Sequence, residues 1–204
     1  MENKYLEDLK EIKEMMSKSS RFISLSGWSG VAAGVTALAG LYAVDQVLSR
    51  ENARLLYYSG EGLSEPQFML VCIAACTIVV AAGAAIFFTT QKAKIENQPI
   101  WDAQSRRLTI NLLIPLITGG IFSLMLLSKG NLEFVMPTTL IFYGLALVNA
   151  SRYTLHEIRS LGILEIIIGL CAMQWLEVSH YLWGLGFGIL HIAYGIYIRI
   201  KYKQ

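Results

Sequence analysis

Charge in this sequence is confined to short clusters, and the stretches between them run apolar for about 20 residues at a time, the length a helix needs to cross about 30 Å of hydrocarbon. Of the 204 residues, 16% are charged and 54% hydrophobic. A soluble domain of that size would scatter its charges along every element to face water. Here they punctuate six apolar spans, roughly 22–47, 68–90, 108–127, 134–151, 160–177 and 181–199. Backbone groups in lipid must satisfy their own hydrogen bonds, so each span is expected to be helical. The early Ser-Lys-Ser-Ser-Arg stretch has no small-residue cleavage site, and the apolar segment behind it is too long for a signal peptide. The expected fold is all-α, a polytopic membrane protein of six transmembrane helices.

The basic residues give that fold an orientation. Lys4, Lys10, Lys13, Lys18 and Arg21 precede the first span. Lys92, Lys94, Arg106 and Arg107 follow the second, Arg152 and Arg159 follow the fourth, and Arg199, Lys201 and Lys203 close the chain. Fourteen of the 17 Lys and Arg residues thus fall on one side, against Arg50, Arg54 and Lys129 on the other. Lys and Arg accumulate on the cytoplasmic side, so both termini are expected there. The location this implies is a bacterial inner membrane. The net charge of +2 carries no signal for nucleic acid, since topology accounts for where the basic residues sit.

Residues 1–20 read as a separate unit. Tyr5, Leu9, Ile12 and Met16 recur at helical spacing among Glu7, Asp8, Lys10, Glu11, Lys13 and Glu14, with Glu14 and Lys18 set for an i,i+4 pair. Such a leader lies on the membrane surface or docks on a partner helix. The outer loop 49–66, SRENARLLYYSGEGLSEP, has turn residues at Gly60, Gly62 and Pro66, and its paired tyrosines suit an interfacial belt; a ligand-binding loop is the alternative. RFISLSGWSGVAAG from Arg21 and RLTINLLIPLITGG from Arg107 align, and RSLGILEIIIG opens the fifth span similarly, which suggests three helix hairpins in a row.

The hairpin LGILEIIIGL…YLWGLGFGILHIAYGI resembles the repeats of small six-helix bacterial membrane proteins, including the acid-resistance membrane protein family. The stretches SSRFISLSG, PIWDAQSRRLTINLLIPL and LIFYGLALVNASRYTL resemble uncharacterised bacterial inner-membrane proteins of this length. The resemblance lies in topology and glycine placement. It implies the six-helix architecture and transfers no catalytic motif.

Several chemistries lack their residues. SLSGWSG is no phosphate loop, because it has no Gly-Lys-Ser/Thr ending and no strand before it. Cys72 and Cys76 share a face of the second span and Cys171 lies in the fifth; in apolar surroundings without a histidine they point to packing rather than zinc. His191 has no second histidine at membrane depth, since His156 falls in a loop and His180 at a boundary, so bis-histidine haem ligation is not expected. There is no His-Glu-x-x-His, no Gly-x-Ser-x-Gly and no close carboxylate pair within a span. Neither an enzyme nor a resident cofactor or metal is expected.

The small and polar residues inside the spans remain. Ser26, Gly30 and Gly34 repeat every four residues in the first span, as do Gly184 and Gly188 in the sixth, with Gly195 on the same stripe. Such spacing lets helix backbones approach closely, either within the bundle or between two copies of the chain. On an ideal helix His191 falls on that stripe too, and Glu165 lies on a similar one with Gly162, Gly169 and Ala172. Glu165 is about 9 Å from its cytoplasmic border and His191 about 12 Å from its own, at 1.5 Å per residue. Their depths match, so the two are expected to meet, with Ser26, Ser29, Asn111, Asn149 and Tyr194 at similar depth. Ionisable residues inside spans are costly and point to function. The interpretations are a structural pair holding a hairpin together, or a proton- or ligand-responsive site, since histidine titrates near neutral pH. Two functions follow. One is a non-enzymatic sensor, regulator or partner subunit, alone, as a homodimer or with a membrane partner. The other is a small proton-coupled or solute transporter or channel that uses these residues as one cytoplasmic-half polar cluster.

Overall fold

The computed structural model of the protein describes residues 26–50 and 64–202. The leader at 1–20 and most of the outer loop lie outside the described residues. Those described form helices and short turns, without a strand among them. They comprise α1 (Gly27–Arg50), α2 (Glu65–Ile95), α3 (Ala103–Ser128), α4 (Val135–Ala150) and α5 (Glu157–Gln174). A last helix follows, built from α6 (Ser179–Trp183), a π-helical segment (Gly184–Leu190) and α7 (His191–Lys201).

Five of these are long and apolar enough to cross a membrane: α1, α2, α3, α4 with its flanking turns, and the last helix. The fifth expected span, α5, is 18 residues long and contains Glu157, Arg159 and Glu165. Large apolar side chains cover the outer surface. Ile78, Val79 and Phe87 on α2 and Ile110, Ile114, Ile117 and Ile121 on α3 are all exposed. A patch of that extent suits contact with hydrocarbon and would be a liability in water.

Local chemistry sets the helix ends. Asp102 caps α3 reciprocally: its carboxylate accepts from Ser105 N at 2.7 Å, and its own N–H donates to Ser105 Oγ at 2.8 Å. At the other end Gly130 takes φ 76°, so that its N–H reaches Leu127 O and the N–H of Asn131 reaches Leu126 O. This is a Schellman turn, which needs a left-handed residue at that position. Asn97, with φ 51°, ends α2 in the same manner, its successor Gln98 donating to Ala93 O.

Helix α1 lies between α2 and the last helix, and α4 lies between α3 and α5. Sequential pairing accounts for α1 with α2 and α3 with α4. The broadest contacts of α5 and of the last helix are instead with α4 and with α1. A glycine sits at each of these crossings, because only a missing Cβ lets two backbones come so near. A Cβ on Gly34 would stand 2.6 Å from Gly188 O, and one on Gly30 would stand 3.1 Å from His191 O. Between α4 and α5, a Cβ on Gly144 would stand 2.6 Å from Gly162 O and one on Gly162 would stand 2.7 Å from Gly144 O. Gly119 abuts Phe142, and Gly40 abuts Thr77. The stripes of the first and sixth spans therefore pack on each other within one chain, with Ser26 buried at the same end.

Two expectations change here. Cys72 and Cys76 are exposed on the outer surface of α2 rather than packed inside, because α2 meets the bundle chiefly through α1. His191 also leaves the glycine stripe. Gly184, Gly188 and Gly195 face Leu41, Leu38 and Val31 of α1, whereas the His191 side chain meets Tyr143 of α4 and Glu165 of α5. The physical reason is the π-helical segment just before it. Residues Gly184–Leu190 are wound as a π-helix, so the turn leading into His191 departs from the 3.6-residue spacing on which its place on the stripe was projected.

Candidate functional site

Glu165, His191 and Tyr143 each lie near the middle of their helices, where α4, α5 and the last helix converge. The Glu165 side chain is 0% exposed and that of His191 is 6% exposed. His191 Nδ1 lies 3.0 Å from the Gly186 carbonyl, and Nε2 lies 2.8 Å from the Tyr143 hydroxyl. A carbonyl can only accept, so Nδ1 carries the hydrogen and donates it to Gly186. In the neutral ring Nε2 then accepts from Tyr143 O–H. The imidazole is fully satisfied by these two bonds.

Glu165 is not. Its Oε1 lies 3.4 Å from His191 Nδ1, close enough for an ion pair, yet neither carboxyl oxygen has a hydrogen-bond partner. The two observations agree once the hydrogens are placed, since the single Nδ1 hydrogen already points to Gly186. The expected meeting of Glu165 and His191 is thus one of proximity, and the histidine bonds elsewhere. Leaving a buried polar group unpaired costs about 1–3 kcal/mol, and more if it is charged. The carboxyl is also sterically held. A Cβ on Gly186 would collide with Glu165 Oε2 and come within 2.7 Å of Leu140, so the absence of a side chain at 186 makes the room that the carboxyl fills.

Aromatic rings wall the site on one side. Trp183, Phe187 and His191 rise one turn apart, with ring centroids 4.7 Å and 5.9 Å apart in succession, and Tyr143 packs 4.8 Å from Phe187. One turn before Tyr143 on α4, Thr139 accepts at 3.0 Å from Trp183 Nε1–H. Tyr143, Thr139, Trp183 and Gly186 were not singled out in the sequence. The usable signal was the spacing of four between Thr139 and Tyr143 and between Trp183, Phe187 and His191.

The other polar residues at similar depth do not join this site. Asn149 Nδ2–H donates to the backbone carbonyl of Asn111 at 2.8 Å, while the Asn111 amide bonds back to Arg107 O in its own helix. Ser29 bonds to the carbonyl of Ser26, both buried at the start of α1. Tyr194 donates to Ser160 Oγ at 3.2 Å in a groove of about 510 Å³, lined also by His156, Glu157, Tyr197 and Lys201. The expected single cluster is therefore several local pairs, because helical side chains at equal depth still point in different directions.

At the groove, α5 is latched to the end of α7. Glu157 accepts from Lys201 Nζ and, at 3.2 Å, from Tyr202 O–H. Burial pushes the Glu157 carboxyl up, but the Lys201 hydrogen bond and charge, with the Tyr202 bond, hold it on balance below its ordinary value. A carboxyl lowered by folding stabilises the fold above its unfolded value and loses that contribution as pH falls through the folded one. Thermal melts of the purified protein should therefore lose stability through acid pH less steeply in Glu157→Gln than in the wild type. Parallel pH profiles would show that the latch contributes nothing.

Among the described residues, no three His, Cys, Asp or Glu side chains gather as a metal site would require. No family model, curated protein or solved structure matches the chain. The reading of function consequently rests on the site's own geometry.

Proposed function

We propose that the chain is a multi-pass protein of the bacterial inner membrane with both termini in the cytoplasm. It enters the bilayer as three helix hairpins and works as a non-enzymatic sensor or regulatory subunit whose state follows the protonation of Glu165 beside His191. The observation that carries this reading is the fully buried carboxyl with no hydrogen-bond partner. Such a group weakens the fold, so a role in stability does not account for it, and ionisable groups at membrane depth default to function. The close glycine-to-backbone crossings of its helices favour a tightly packed regulatory bundle over one that conducts. A homodimer or a membrane partner protein would receive the signal, with the leader at 1–20 as a docking element.

Orientation is tested by reporter fusions after residue 60, after residue 130 and at the C-terminus, expected to read outside, outside and inside. A C-terminus outside would overturn both the charge argument and the span order. Function is tested in proteoliposomes carrying an internal pH dye. An acid step should change the protein's tryptophan fluorescence without moving protons across the bilayer, and Glu165→Gln should abolish the change. Proton flux lost in Glu165→Gln would favour the transporter over the sensor.

A further inference from the structure

We infer that the groove between α5 and α7 is a phospholipid site, specific for a headgroup that carries a primary ammonium beside its phosphate. The inference goes beyond the protonation reading and stands without it. Glycine placement leaves the groove open. Gly162 and Gly169 of α5 face α4, and Gly195 of α7 faces α1, so none of the three lets α5 and α7 close on each other. Full side chains hold the two helices apart at their charged ends, and a space of about 510 Å³ opens between them. That is within the size range of a small-molecule site.

The groove is already built around one ammonium, that of Lys201. Its Nζ donates to Glu157 Oε1 and lies 5.6 Å from the centre of the Tyr197 ring and 5.8 Å from that of Tyr202. At such distances a cation is drawn to an aromatic face. The two charges differ in mobility. The Glu157 side chain is 8% exposed and accepts also from Tyr202, whereas that of Lys201 is 47% exposed at the end of a flexible stem. Glu157 is therefore the fixed acceptor, and Lys201 is the partner that can leave. It can leave only if both charges find new partners, since a buried carboxylate without one is costly. A ligand of single charge attracts one of the two and repels the other. A zwitterion satisfies both: its ammonium takes the place of Lys201 on Glu157, and its phosphate receives the Lys201 ammonium. One ion pair becomes two, and the net charge of the groove is unchanged. A quaternary ammonium has no N–H to donate to Glu157, so a primary one is selected.

Position makes the zwitterion a lipid. The groove lies at the end of the bundle where Arg159, Arg199 and Lys201 bound the apolar runs, the level at which headgroups meet basic pockets between helices. Beyond it the same two helices are apolar and uncovered. Ile163 and Ile167 follow Ser160 on α5 at helical spacing, Ile189 precedes Ala193 by four residues, and all three isoleucines are exposed. A headgroup held in the groove therefore lays its acyl chains along side chains that suit hydrocarbon, a surface that a soluble zwitterion would leave unused.

The test equilibrates the full chain in phosphatidylcholine vesicles that also contain phosphatidylethanolamine and phosphatidylglycerol, extracts it in mild detergent and counts the retained lipids by native mass spectrometry. Phosphatidylethanolamine should be enriched on the wild type over both competitors. Glu157→Gln should weaken that enrichment about tenfold or more, the scale of one hydrogen bond to a charged group. Ala193→Phe should do the same, because it fills the groove from an exposed position and leaves Glu157 and Lys201 in place. Should Glu157→Gln fail to fold, Ala193→Phe decides alone. Equal retention of the three lipids, a preference for phosphatidylglycerol, or enrichment unchanged in Ala193→Phe would overturn the site. Displacement of the lipid by soluble glycerophosphoethanolamine would show that the headgroup suffices, and would overturn the lipid as its occupant.

Discussion

Gly34→Leu is expected to unfold the bundle, while Gly83→Leu should leave it intact. Both glycines lie in apolar helices, and a helix propensity argument would treat them alike. Their surroundings differ. A Cβ at 34 would stand 2.6 Å from the carbonyl of Gly188 and 2.7 Å from Ile192, so the first and last helices would have to separate. A Cβ at 83 meets nothing within 4 Å. Overpacking costs about 1–3 kcal/mol where side chains can yield. Here a backbone stands in the way, and the loss should exceed that range. Denaturant unfolding of the two variants in detergent measures the contrast directly. Equal stability of the two would mean that the crossing of α1 with the last helix is not a tight interface.

The second large effect has the opposite sign. Glu165→Met should raise stability by about 1–3 kcal/mol, the cost commonly attached to a buried polar group with no partner, and should erase any response to acid. Methionine has similar length and no polar atom, so it fills the space beside Gly186 without asking for a hydrogen bond. His191→Ala should do the reverse and destabilise, since it removes the donor to the Gly186 carbonyl and the acceptor of Tyr143 O–H. Thermal melts of the two single variants measure this pair of signs. A destabilised Glu165→Met would show that the carboxyl holds the bundle together after all, and the structural reading of Glu165 with His191 would replace the functional one. A more stable protein without acid response is the pattern expected of a site kept at the expense of the fold.

Helix class and the choice of residues for the crossings were legible in the sequence, since each depends on spacing along one chain segment; of the six spans expected, five are long and apolar enough to cross a membrane among the described residues. Charge clusters bound the apolar runs, and Gly30, Gly34, Gly188 and Gly195 announce close approach wherever they occur. The matching depth of Glu165 and His191 was legible for the same reason, because rise per residue is nearly constant along a helix. What each side chain touches was not. That depends on which helices are neighbours and on the local winding of each helix, and the seven residues before His191 are wound as a π-helix that no spacing announced. The tertiary structure alone therefore decided that α1 and the last helix share their glycines, that His191 turns from that stripe to Tyr143 and Gly186, and that Glu165 is left beside it with no hydrogen to accept.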